Sequence, residues 1–142
     1  MKIFTRSQCC LALLTLLMLL VIVGCTKPIY NVNNEQVFTP EGMTLEEAGL
    51  LIQEAGTQRG WAMAIVEPGH IVGTLIIRAH TVTVDIDYTI TSFSITYKDS
   101  INLRYNPETN SIHHNYNRWI RNLEKAILVK LTNSNEVVGE DN

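Results

Sequence analysis

Asp85 and Asp87 stand two residues apart in a segment that alternates polar and apolar residues, so both carboxylates project from one face of a strand. Two carboxylates at that spacing could flank a scissile bond or hold a cation. Their expected neighbours on that face are Val72, Thr74, Ser94 and Thr96, none of them a third acid, and a solvated strand face explains the pair equally well. Four histidines are the other candidates. His70 and His80 fall at expected turns, at opposite ends of one strand. His113 and His114 are adjacent on an expected helix, where side chains diverge by about 100° and do not converge on one ion. The sequence therefore predicts no metal site and no cofactor. Nucleophilic catalysis needs a Ser, Thr or Cys beside a base and an orienting third group. No Gly-x-Ser-x-Gly elbow and no glycine-rich phosphate loop occurs. The expected function class is not an enzyme.

One residue with reactive chemistry does have a telling context. Lys2 and Arg6 precede an apolar run from Leu11 to Val23, interrupted by Thr15, and the run stops at Gly24-Cys25. A charged start and a short apolar stretch are the parts of an export signal, and the stretch falls short of the roughly 20 residues that cross a bilayer. Ile22-Val23-Gly24-Cys25 resembles the bacterial lipobox. The resemblance implies that the Cys25 thiol is diacylated, that residues 1–24 are cut away as a signal peptide, and that the new amine is acylated. Thr26 stands where an inner-membrane retention signal would show Asp. The implied location is the outer membrane of the cell envelope, facing the periplasm.

Cys9 and Cys10 leave with the signal and lipid occupies Cys25, so the expected mature domain has no disulfide and no Cys-based metal site. The whole chain of 142 residues carries −3. Without the signal, nine basic residues face 14 acidic ones. Phosphate contacts need clustered Lys and Arg, so nucleic acid is not an expected partner.

The elements that would position these groups follow from spacing. Residues 25–42 read as the lipidated Cys and a tether, with Ile29 to Val32 as an optional edge strand, so the domain hangs from its anchor. A globular domain is expected over 43–132 and a polar tail over 133–142. Thr44 and Glu47 form a capping box, and Leu45, Ala48, Leu51, Ile52 and Ala55 recur at helical spacing up to Gly56. Strands are expected over 61–66, 71–78, 81–88 and 93–97, with 98–105 as a fifth after a bulge near Asp99-Ser100. A two-residue turn at Ala79-His80 pairs Ile77 with Val82 and Leu75 with Val84. A turn over 89–92 pairs Tyr88 with Phe93, Ile86 with Ile95 and Val84 with Tyr97. Ser111 caps a long helix with Ile112, Tyr116, Trp119, Ile120, Leu123, Ile127 and Leu131 on one stripe. The expected fold is α+β: a two-layer sandwich with an antiparallel meander sheet of four to five strands, and the N-terminal helix and the long C-terminal helix on one face.

The first strand admits two registers. A two-residue turn at Pro68-Gly69 puts Trp61, Met63 and Ile65 on the outer face as an apolar interaction patch. A three-residue turn puts them in the core, the favoured alternative.

Arg59-Gly60-Trp61, Gly73-Thr74-Leu75, Arg78-Ala79-His80, the segment Phe93 to Tyr97, Asn102 to Tyr105, and Ile112 to Ile120 together resemble a family of small bacterial lipoproteins without an assigned activity. The resemblance spans about residues 57–128 and implies the fold and the envelope location, with no catalytic residues to carry over. It singles out Trp61, Arg78, His80, Asn117 and Trp119 as candidate interaction residues. The expected function is a non-enzymatic, membrane-tethered protein-interaction or envelope-assembly module. A small-ligand binder with a pocket walled by Tyr97, Tyr105, Tyr116 and Trp119 is the alternative, and an envelope hydrolase using Asp85 or Asp87 is the third reading.

Overall fold

The computed structural model describes residues 25–134. The expected signal peptide, residues 1–24, and the tail from residue 135 onward lie outside the described residues. Strands are β1 (Thr26–Pro28), β2 (Val32–Gln36), β3 (Ala62–Glu67), β4 (His70–Ile77), β5 (His80–Tyr88), β6 (Ser92–Ile101) and β7 (Ser111–His113); helices are α1 (Leu45–Gln58) and α2 (His114–Thr132). An open antiparallel sheet runs in the order β2-β6-β5-β4-β3, and β1 pairs with β7 in a separate two-stranded ribbon. The fold is the α+β architecture that alternation and helical spacing imply, with both helices contributing to one core.

Strand β5 shows why one sheet face is dry. Val82, Val84, Ile86 and Tyr88 are buried, while Thr81, Thr83, Asp85 and Asp87 alternate with them on the other side. Its pairing with β6 has the expected register, Tyr88 opposite Phe93, Ile86 opposite Ile95 and Val84 opposite Tyr97. Its pairing with β4 does not. The turn is Arg78-Ala79, so Ile77 faces His80 and Leu75 faces Val82. The slip is two residues, an even number, so every side chain keeps its face. Arg78 enters the turn at φ 55°, a conformation that the sequence signals with no Gly or Asn.

Bulges set the rest. Val66 is the extra residue between the pairs Ile65–Ile71 and Glu67–His70. A two-residue Pro68-Gly69 turn plus one bulged residue gives the parity of a three-residue connection. Trp61 therefore lies in the core, 3% exposed, and the outer-face patch of Trp61, Met63 and Ile65 does not form. Lys98 is the extra residue between Tyr97 and Asp99. Strand β6 runs through it to Ile101, so residues 98–105 are not a separate fifth strand.

The fifth strand is β2, in the segment expected to be a tether. Val32 and Val37 are buried at 2% and 5% exposure. Asn31 Oδ1 accepts from the Tyr97 amide at 3.1 Å, and Asn34 takes φ 49° at the bulge. The asparagines that gave the segment a loop-like composition are what shape this edge pairing, which covers the otherwise open side of β6.

Helix α1 has the expected capping box: the Thr44 amide donates to Glu47 Oε2 at 2.8 Å and the Glu47 amide to Thr44 Oγ1 at 3.2 Å. The backbone bond from Thr44 holds the Glu47 carboxyl below its usual range. Gly56 does not end the helix. It is buried inside it, where an added Cβ would come within 2.5 Å of the Met63 sulfur, so glycine here permits close helix–strand contact. The chain turns instead at Gly60, φ 84°. Helix α2 begins at His114 rather than at Ser111, because Ser111 to His113 are drawn into extended pairing with Pro28 to Thr26. Its stripe is as expected: Tyr116, Trp119, Ile120, Leu123, Ile127 and Leu131 are all buried.

Tyr116 sits at the centre of this core. Burial raises its phenol well above the ordinary 10.0, and nearby Tyr97 and Tyr105 add to the rise. A raised folded-state value means that the unfolded chain loses the proton first, so stability is full below about pH 10 and falls as pH climbs above it. Tyr116 Oη reaches Asn31 Oδ1 at a long 3.5 Å. Tyr116→Phe is therefore expected to change stability near neutral pH by less than about 1 kcal/mol and to flatten the alkaline decline. Urea denaturation across pH 8 to 12 checks both, and an equally steep decline in the variant would contradict this account.

Candidate functional site

Side chains selected by sequence gather at one end of the sheet. Hairpin β4–β5 carries Arg78 and His80 there. Asn102 Nδ2 donates to the Ala79 carbonyl at 2.7 Å, and His80 Nδ1 lies 3.0 Å from the Asn102 carbonyl. The 102–104 segment has two left-handed residues, Asn102 at φ 60° and Arg104 at φ 51°, around the buried Leu103. The Leu103 carbonyl accepts from the His113 amide at 2.8 Å. His80 and His113 stack with ring centroids 6.1 Å apart, His113 and His114 lie 4.4 Å apart, and Trp119 approaches His80 at 6.4 Å.

Cys25 is at the same end. It is exposed, and its carbonyl accepts from the His114 amide at 3.1 Å. Thr26 then pairs with His113. Partial burial lowers the His113 pKa, and the positive fields of His114, His80 and Arg104 lower it further. Every charge acting on this ring is basic.

Asn117 holds the incoming chain against α2. Its Oδ1 accepts from the Tyr30 amide at 3.0 Å and its Nδ2 donates to the Pro28 carbonyl at 2.8 Å. This residue satisfies backbone groups. Beside it, Tyr30 Oη donates to Glu124 at 2.9 Å and Arg121 stacks 4.3 Å over the Tyr30 ring. Asn117→Leu strips both partners from the β1–β2 backbone and is expected to cost about 1–3 kcal/mol. Asn117→Asp keeps the acceptor and is expected to cost less. Hydrogen exchange at the Tyr30 amide reports the change locally, and unaltered protection in Asn117→Leu would contradict it.

The other candidates fall apart or fall elsewhere. Of the expected pocket walls, Tyr97 meets Tyr105 at 4.3 Å and the edge of Tyr116 at 5.7 Å between centroids, and Tyr116 is fully buried. The three tyrosines pack on one another, while Trp119 approaches His80. Asp85 and Asp87 do meet a histidine, which sequence reasoning had left at a distant turn. His70 is paired in register with Asp87; its Nδ1 lies 2.7 Å from Asp87 Oδ1 and its Nε2 3.2 Å from Asp85 Oδ1. The bulged Lys98 donates to Asp85 at 2.8 Å. A carboxylate can orient an imidazole as a general base, but this cluster lies on an open strand face with Asp87 66% exposed. A solvated ion cluster of this kind contributes at most about 1 kcal/mol per pair. Among the described residues, no three His, Cys, Asp or Glu side chains are arranged to hold a metal ion.

Sequence reading also missed a groove at the far end of the domain. It is about 560 Å³ in volume, and Pro40, Met43, Leu50, Leu51 and Ser134 are among the residues lining it. Leu50 is 53% exposed, and Phe38, just upstream of the groove, is 91% exposed. The signal for the groove was a leucine off the buried stripe of α1 and an aromatic in a polar stretch.

Comparison with protein families, with curated proteins and with solved structures finds no match to this chain.

Proposed function

We propose that the protein is a non-enzymatic lipoprotein of the bacterial cell envelope, held to the outer membrane through acyl chains on Cys25 and serving as a protein-interaction or envelope-assembly module. The observation that carries the reading is the position of Cys25. It is exposed and free of any packing role, and it immediately precedes the first paired residue of the folded domain. The described residues contain no helix long and apolar enough to cross a membrane. The groove beside Leu50 supports the interaction part, since Met43, Leu50 and Leu51 line it together with Glu41 and Glu47, and Leu50 is 53% exposed.

A photo-crosslinking amino acid placed at Leu50 or Phe38 in growing cells tests the interaction. The expected result is one reproducible adduct with an envelope protein from these positions and none from Gln58 on the same helix. No discrete adduct from either groove position would overturn the interaction reading.

A further inference from the structure

We propose that the end of the domain that begins at Cys25 docks on the surface of an anionic phospholipid bilayer, so that the domain lies on the membrane instead of hanging beneath it. The inference rests on the acylation of Cys25 proposed above, and three independent observations extend it.

The first is the missing tether. Thr26 is already paired with His113, and the Cys25 carbonyl is bonded to His114. Consecutive Cα atoms are about 3.8 Å apart, so lipid on Cys25 brings β1, β7 and the start of α2 against the headgroups. The second is charge. Lys27, Arg78 and Arg104 are exposed at this end, around the cluster of His80, His113 and His114. Asp99 on the outer face of β6 and Glu108 in the 106–110 turn are the nearest acids by register. The opposite end carries Glu41, Glu46, Glu47, Glu67 and Asp87. The nine residues of β5 separate the two ends, about 30 Å of strand. Attraction to anionic headgroups fades within about 8 Å at physiological salt, so the basic end feels it and the acidic end escapes the matching repulsion.

The third is strain at the two arginines. Among the described residues, five other than glycine have positive φ: Asn34, Asn102, Asn110, Arg78 and Arg104. Asparagine tolerates that conformation, whereas arginine gains nothing from it and glycine would adopt it freely. Both arginines stand at the Cys25 end, where their charge is the property that glycine could not supply. Ile76 and Ile101 flank Thr81 in one cross-strand row on the outer face near this end, 69% and 56% exposed. They offer apolar contact at the headgroup boundary.

Each basic residue at an anionic surface is worth a factor of about five in binding. The test uses the acylated protein recovered from cells, carrying Ala79→Cys as its only free thiol, since Cys25 is blocked by lipid and Cys9 and Cys10 belong to the removed signal. A fluorophore on that thiol is read with a neutral aqueous quencher in vesicles of phosphatidylcholine, with or without phosphatidylglycerol. Docking predicts several-fold weaker quenching on the vesicles containing phosphatidylglycerol. A reporter placed through Thr91→Cys at the opposite end should stay fully quenched on both. Combining Arg78→Gly with Arg104→Gly should lower the docked-to-undocked ratio on the order of 25-fold, while the denaturation midpoint holds or rises. A purely structural role for the arginines would lower the midpoint instead. Equal quenching at position 79 on both vesicles, with the protein still bound, would overturn the docking and leave the anchor standing. A free Cys25 thiol with no vesicle association would overturn the anchor and the docking with it.

Discussion

Cys25→Ser is expected to abolish acylation completely and to leave the chain at precursor length, retaining residues 1–24. In the proposed reading the thiol is the nucleophile that takes up the diacylglycerol, and the cut depends on that modification, so loss of one sulfur stops both steps. The effect is all-or-none because serine offers no thiol from which the thioether could form. Nothing in the folded domain should change, since the Cys25 side chain is exposed and only its carbonyl is bonded, to His114. Labelled fatty-acid incorporation and mobility on a gel measure the outcome. A variant that still incorporates lipid and is cut to the same length would show that Cys25 is not the modified residue.

Trp61→Ala is expected to be among the most destabilising single substitutions in the domain, at about 3–5 kcal/mol. The indole is 3% exposed, packs over Gly73, and its backbone amide donates to the Gly56 carbonyl at 3.0 Å. A domain with about 5–15 kcal/mol of total stability would lose about a fifth or more of it. The substitution also separates the two registers that the sequence of β3 allows. Had the chain turned at Pro68-Gly69 without the bulge at Val66, Trp61 would stand on the outer face and its loss would cost under about 0.5 kcal/mol. Urea denaturation of the variant decides between them.

That pair of registers marks the boundary of what alternation alone can resolve. The pairing of β5 with β6 was legible because Val84, Ile86 and Tyr88 meet Tyr97, Ile95 and Phe93 across a short turn, and any odd slip would bury Asp85 and Asp87. The pairing of β4 with β5 was legible in its faces and not in its partners, because an arginine in a left-handed conformation leaves no local signal. The bulge at Val66 is equally silent, whereas the one expected near Asp99-Ser100 sits one residue earlier, at Lys98. The stripe of α2 stood out in the sequence, but its start did not, since Ser111 to His113 are held extended by residues more than 80 positions earlier.

Site geometry was legible only where it followed from a single element. The lipobox resemblance is contiguous and needs no fold to be seen, and it stands as a proposal. The assembly of His80, His113 and His114 beside Cys25 needed four separate segments to converge, and the ion cluster of His70 with Asp85, Asp87 and Lys98 needed the true hairpin register and one bulge. Asn117, taken from its surrounding motif as an interaction residue, proves to complete the backbone hydrogen bonding of Pro28 in β1 and of Tyr30 beyond it. Such a clamp explains why the segment following Cys25 docks on the domain when its composition suggests a loose linker.

The central claim is that this chain is an acylated protein whose folded body starts at its lipid. Mass spectrometry of the amino-terminal peptide, taken from protein extracted from growing cells, tests it most directly. The account predicts a mature chain starting at Cys25 with a diacylglycerol thioether on the sulfur and an acyl amide on the nitrogen. A chain that still begins at Met1, or one that begins elsewhere with an unmodified Cys25, would contradict it.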